Sequence, residues 1–245
     1  MTGEQGSAAG TSAEAPAGAS SAPGHRLVTD HTVLSVVVGS RAYGLDTAAS
    51  DTDRRGVFVA PTELYWHFDK PPTHVTGPGE EQFSWEFERF CELALAANPT
   101  VLECLWSPLV EHVTPIGAEL LDVRTAFVSK RAHRSFLGYA ESQFRKMENH
   151  QARNPKHVMH MLRLLISGLH LLEHGEPLVR MDDHRDRLLA VRAGEVPLDE
   201  VGAWRASLTA RMADALARTS LPDEPDRPRV DALLHSVRRR TLPGA

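Results

Sequence analysis

Apolar and polar positions change rhythm twice along this chain. Val33, Val36, Val37 and Val38 form a β-branched run that predicts a buried strand over residues 33–38, and a second run ending at Val59 predicts a strand over 55–59. From Pro61 to about residue 80 the chain is dense in Pro, Gly and aromatic residues. That stretch predicts a short helix over 62–66, then a loop and an extended piece at 74–76. Phe83, Phe87, Phe90, Cys91, Ala94 and Leu95 recur at helical spacing and predict an amphipathic helix that Asn98 ends, with Pro99 opening the next. From residue 113 the pattern is almost wholly helical. Helices are expected over 130–148, 156–173, 183–193 and 198–217, with Ser129 capping the first and residues 194–197 breaking the last two apart. The fold class read from this pattern is α+β: a small domain of mixed sheet over residues 27–112, then an α-helical domain over 113–242. Residues 1–26, mostly Ala, Gly, Ser, Thr and Pro, are expected to be a disordered tail, and they lack the basic start and apolar core of a signal peptide.

With 245 residues and 42% hydrophobic content, the chain can bury a core as one large or two small domains. Its net charge of −5 excludes a generally basic wrapper of nucleic acid. Residues 130–163 nevertheless carry eight Lys or Arg against two Glu, a surplus of six, so the rest of the chain carries −11. Cys91 and Cys104 have no metal-ligand spacing and are expected as buried thiols in a reducing cytoplasm. The most apolar stretch, 159–172, is interrupted by Arg163 and His170, so no membrane span is expected.

Candidate chemistry concentrates where the first strand ends. Gly39-Ser40 makes a tight turn whose backbone N–H groups can approach a phosphate, and Ser40 adds a hydroxyl donor. Asp51 and Asp53, one residue apart on an extended backbone, point to one side and repel each other unless a divalent cation lies between them. Strand, turn, Asp-x-Asp and second strand therefore describe a site for a Mg²⁺-nucleoside triphosphate. Arg55 shares the face of the two aspartates and is the better phosphate contact, whereas Arg54 is expected in solvent. On the helix over 156–173, Lys156, His160, Arg163, Ser167, His170 and His174 recur at three- or four-residue steps as a basic polar stripe. That stripe is read as facing phosphate or RNA, with Lys156, His160 and Arg163 as nucleotide contacts. His157 and His160 could clamp a metal but have no third ligand in register. Tyr65, Trp66 and Phe68 are expected to pack down a sheet edge rather than stack on a base.

The string GSRAYGLDTAASDTDRRGVFV resembles the signature of the DNA polymerase β-type nucleotidyltransferase superfamily and, more narrowly, a bacterial and phage group of predicted nucleotidyltransferases associated with RNA repair. Similarity continues through EEQFSWEFERFCELALAANPTVLECLW, KHVMHMLRLLISGLHLLEHGEPLVR, LLAVRAGEVPL and SLPDEPDRPRVDALL, so it covers roughly residues 33–240. The resemblance implies a polymerase β-type palm domain before the helical one, a nucleoside triphosphate donor, and an acceptor that is RNA by the group's association. It also implies a third metal-binding acid after Asp51 and Asp53, completing a cage for two Mg²⁺ ions, with Mn²⁺ as a substitute. The register places that acid at Glu81, where the group has Asp, with Glu80 and Glu86 as alternatives. Glu103 matches the group's Leu-Glu pair and is expected on a helix surface. The change to Glu81 keeps open a second reading, a catalytically degenerate nucleotide- or RNA-binding module. A third rests on Arg163 and His170, whose spacing resembles that of HEPN-type ribonucleases.

Overall fold

The computed structural model describes residues 22–149 and 154–242. Strand β1 (Thr32–Val38) lies between β2 (Asp53–Phe58) and β5 (Val110–Val113), antiparallel to both. On the far side of β2, β4 (Gln82–Glu86) runs parallel to it and β3 (His74–Thr76) closes the edge, giving one mixed sheet in the order β3-β4-β2-β1-β5. The β-branched run of β1 suits this central place, because both faces of the sheet are covered. Val57 and Val59 point into the main core, while Phe58 between them packs with Val28 and Val75 in a second cluster. Alternation along β2 therefore puts helix α1 (Ala22–His31) on one face and helices α3 (Phe87–Leu95), α4 (Pro99–Leu105) and α5 (Pro115–Asp122) on the other.

Two expectations are corrected here, and two elements are added. Helix α1 begins at Ala22, so the tail expected over 1–26 is ordered in its last residues; residues 1–21 lie outside the described part. Phe83 opens a strand, not a helix: Gln82–Glu86 pairs with β2 in the register Arg55↔Phe83 and Val57↔Trp85, and α3 starts only at Phe87. A four-residue step from Phe83 to Phe87 fits two strand periods as well as one helical turn, and the ladder to β2 decides between them. The carboxylate of Glu86 then caps α3 by accepting from the Glu88 N–H at 2.7 Å. Finally, neither β5 nor a helix over Arg227–Arg240 was foreseen.

In the helical half, α6 (Arg131–Asn149), α8 (Arg185–Ala193) and α9 (Leu198–Arg218) all pack on α7 (Pro155–His174), whose N-cap Asn154 accepts from the Lys156 N–H at 3.0 Å. Helix α10 (Arg227–Arg240) then returns to the sheet half. Arg238 pairs with Glu86 at 2.9 Å and Glu88 at 3.0 Å, Arg240 holds Glu119 at 2.7 Å, and Thr62 donates to the Arg238 carbonyl at 2.8 Å. One hydrophobic core runs from Val33 to Val237, across the domain boundary expected at residue 113.

Helix α5 lies close on the sheet because Gly117 faces it. A Cβ on Gly117 would sit 2.1 Å from the carbonyl oxygen of Val33, a backbone atom of the central strand that cannot swing away. Gly117→Ala is expected to cost about 2–3 kcal/mol in chemical denaturation, as overpacking does in a well-filled core.

Candidate active site

The local sequence at the end of β1 sets up a cleft. Gly39 follows Val38 with φ +71°, a left-handed conformation that glycine adopts without strain, and from it the chain enters helix α2 (Gly39–Tyr43). This turn brings the backbone against the start of β2: a Cβ on Gly39 would lie 2.3 Å from Oδ2 of Asp53. Arg41 fixes the other acid. Its Nε donates to the Asp51 carbonyl at 3.2 Å and its Nη2 to the Ser50 carbonyl at 2.9 Å, so the first turn of α2 holds the segment leading to Asp51.

Gly39, Ser40, Asp51 and Asp53 line one cleft of about 320 Å³ together with Lys156 and His160 from α7. Residues separated by more than a hundred positions thus share one wall-to-wall space, of the size ligand sites occupy. The helical half is tied to the loop beyond α2 through three successive carbonyls. Tyr43 accepts from the Met181 N–H at 2.9 Å, Gly44 from Arg185 Nε at 2.8 Å, and Leu45 from Arg192 Nη1 at 3.1 Å. Arg192, in α8, also lines the cleft, and reading the sequence did not single it out. Its segment, LLAVRAGEVPL, stood out as a matching stretch, but nothing in a helix of mixed pattern marks one arginine as facing a cavity.

Burial pushes the pKa of His160 down to about 3, helped by the positive charges of Arg163, Lys156, His157 and Arg192. The imidazole is therefore neutral at pH 7. Between its folded value and the unfolded one near 6.5 the unfolded chain binds more protons, so this group makes stability fall as pH drops through that window. The slope it contributes is at most about 1.4 kcal/mol per pH unit. Urea titrations at pH 7 and pH 5 should show a smaller loss for His160→Gln than for the unaltered chain.

Arg163 does not face the cleft. It is 5% exposed, its Nη1 donates to Glu103 Oε1 at 2.5 Å, and its guanidinium carbon lies 3.8 Å from the ring centroid of Tyr43. Tyr43 closes the triangle by donating its hydroxyl to Glu103 Oε2 at 2.9 Å. Glu103, expected on a helix surface, is 3% exposed. Burial opposes the charge on Arg163, but Glu103 outweighs it and holds the guanidinium above its ordinary pKa; burial drives the Tyr43 phenol upward as well. Only the middle of the polar stripe on α7 is lost to the core: Arg163 and Ser167 are buried under the helices packed on α7, whereas Lys156 and His174 at its two ends are exposed. His170 is committed elsewhere, with Nδ1 at 2.9 Å from the Glu176 carbonyl, so the buried Arg163 and His170 do not form a ribonuclease pair on an open face.

Arg55 and Glu81 lie outside the cleft lining. Arg55 Nη2 is 3.8 Å from Asp53 Oδ1, and its Nη1 donates to the carbonyls of Arg54 at 2.9 Å and Glu81 at 3.3 Å. Arg54, expected in solvent, pairs with Glu111 at 2.9 Å. Glu81 sits beside β2, its carbonyl accepting from the Arg54 N–H at 2.9 Å, with an exposed side chain and φ +50°. Glu86 is consumed by Arg238 and the cap of α3, which removes it as an alternative third acid. Among the described residues no group of three His, Cys, Asp or Glu side chains is placed to hold a metal. The cleft thus offers two hard carboxylates, a donor set that suits Mg²⁺ when phosphate and water oxygens supply the remaining ligands. Tyr65 packs on the smaller core cluster, whereas Trp66 and Phe68 are 73% and 105% exposed, beyond the end of β2 remote from Asp53.

A five-stranded mixed sheet, a Gly-Ser turn abutting an Asp-x-Asp strand and a helical half lining the same cleft agree with the α+β architecture that the sequence resemblance implies. The chain matches the RNA repair pathway DNA polymerase beta family over residues 22–236, and it belongs to that family. It is also similar to the uncharacterized protein YcgL of Bacillus subtilis (strain 168), with 26% identity over 148 residues, 58% of this chain. The matched region spans 57% of that relative's length. Among the described residues no helix is long and apolar enough to cross a membrane.

Proposed function

We propose that this chain transfers a nucleoside monophosphate from a nucleoside triphosphate to an acceptor hydroxyl, releasing pyrophosphate. The observation that carries the reading is the meeting in one cleft of the Gly39-Ser40 turn, the carboxylates of Asp51 and Asp53, and Lys156 and His160 from the other half. Two Mg²⁺ ions, or Mn²⁺ in their place, would be held by Asp51 and Asp53, with phosphate and water oxygens completing the ligand sets, because Glu81, expected as the third acid, lies outside the cleft lining. When bound, such ions neutralise phosphate charge and lower the pKa of the acceptor hydroxyl.

The chain's own residues position and orient. Ser40 donates through its hydroxyl and backbone N–H to the phosphates, Lys156 adds a fixed positive charge, and neutral His160 offers a hydrogen bond. Arg55, close to Asp53, balances that carboxylate in the ion-free protein. In the reaction the acceptor oxygen bonds to the α-phosphorus, and the bond to the oxygen bridging to the β-phosphate breaks. Its electron pair leaves on pyrophosphate, and the acceptor proton passes to solvent. An RNA hydroxyl is the acceptor the family description favours. Cys91 and Cys104, free and buried, fit a cytoplasmic setting.

The test is transfer of α-phosphate label from each of the four nucleoside triphosphates to RNA, with DNA and protein acceptors in parallel. Transfer that requires Mg²⁺ and disappears in Asp51→Asn supports the reading. Binding of Mg²⁺-nucleotide without transfer to any acceptor would favour the second reading, a non-catalytic nucleotide-binding module, which the position of Glu81 outside the cleft lining supports.

A further inference from the structure

We infer that Arg192 is a substrate-binding residue, holding the pyrophosphate end of the triphosphate together with Lys156; this rests on the nucleotidyl-transfer reading. Arg192 lines the cleft beside Lys156 and His160, and its Nη1 is tethered to the Leu45 carbonyl at 3.1 Å. An arginine held at one nitrogen has given up part of its rotamer freedom before a ligand arrives, so less remains to be lost on binding.

Charge pairing sets Arg192 apart from the other arginines near the cleft mouth, and Arg187, on the same helix, lies over the ring of Trp204. Arg180 pairs with Asp182 at 3.0 Å, Arg185 with Asp186 at 3.9 Å, and Arg163 with Glu103 at 2.5 Å. Neither Arg192 nor Lys156 has a carboxylate within ion-pair distance among the described residues. Two cations without a direct ion-pair partner line a small cleft that also holds the carboxylates of Asp51 and Asp53; once those carboxylates hold Mg²⁺, the two cations call for an anion. The neighbouring His160 stays neutral, so the charge falls to these two side chains.

The chemistry narrows the anion. A guanidinium fork matches two phosphate oxygens, and an ammonium adds a point charge, so a diphosphate group satisfies the pair better than a single phosphate. Negative charge accumulates on the departing pyrophosphate as the bridging bond breaks. Fixed cations there stabilise the transition state more than the bound substrate.

Calorimetric titration of the full chain with inorganic pyrophosphate, ATP and AMP, each with Mg²⁺, tests this. Arg192→Gln should weaken pyrophosphate and ATP by about tenfold or more and leave AMP unchanged, with Arg192→Lys in between. If Arg192→Gln binds pyrophosphate within about twofold of the unaltered chain and only its thermal stability falls, Arg192 is a tether for Leu45 and the inference is wrong. An unaltered chain that binds ATP, with the same affinity in Arg192→Gln, overturns this inference alone. One that binds neither ATP nor pyrophosphate overturns the transfer reading with it. Should Arg192→Gln fail to fold, Arg192→Lys decides the matter: pyrophosphate affinity lowered several-fold with AMP unchanged upholds the inference, and affinity within about twofold of the unaltered chain refutes it.

Discussion

Asp53→Asn is expected to reduce nucleotidyl transfer by about 10²–10³-fold or more while leaving the fold intact, because it removes charge from a site whose work is charge stabilisation. The amide has the shape of the carboxylate, and the Asp53 side chain is 33% exposed, so the exchange leaves no cavity and buries no unpaired group. The close approach of Gly39 depends on the backbone of the turn, which the substitution does not touch. Asp51→Asn should behave alike, since Arg41 holds that residue through its carbonyl and not through its side chain. The measurement is α-phosphate label transfer at saturating Mg²⁺, beside urea denaturation of both variants. Denaturation midpoints near that of the unaltered chain with transfer lost would place the effect in the cleft. Undiminished transfer in both variants would mean that the paired acids have no part in the chemistry.

Glu103→Gln is expected to destabilise the protein by about 3–5 kcal/mol, the cost of leaving one member of a buried ion pair alone. Arg163 has no water-facing route for its charge, and its Nε already lacks a hydrogen-bond partner within the described structure. A loss of that size is a large part of the ordinary stability of a domain, about 5–15 kcal/mol. Urea denaturation of Glu103→Gln, Arg163→Met and the double variant forms the cycle that isolates the pair. Removing both charges should restore part of what either single change loses. A single-variant cost below about 1 kcal/mol would show that water reaches Arg163 and that the pair is not buried in solution. The triangle also joins Tyr43, the last residue of the helix that Gly39 starts, to α4 and α7, so slackening it should widen the cleft as well as weaken the core.

Legibility of this chain followed the range of the interactions involved. The strand, the Gly-Ser turn and the two aspartates were readable because they occupy one short stretch whose geometry is local: β-branched side chains, a residue free to take positive φ, and an extended backbone with period two. The spacing from Phe83 to Phe87 serves two periods, and only the neighbouring strand distinguishes them. Taken alone, Glu103 reads as a solvated helix residue and Arg163 as a phosphate contact, and neither sequence neighbourhood shows otherwise. Their pairing across sixty positions is invisible until the helices pack. Arg192 carried no local mark at all, and its role comes from the Leu45 carbonyl and the cleft beside it.

By itself, then, the sequence determined that a buried strand ends in a glycine turn and leads to twin acids at the head of a second strand, because short-range sterics and side-chain alternation permit little else there. Tertiary structure alone decided which charges of the helical half meet that turn and which vanish into the core. A helix shows polar residues on a stripe, but the elements packed around it determine whether the stripe meets water, a cleft or a buried counter-charge.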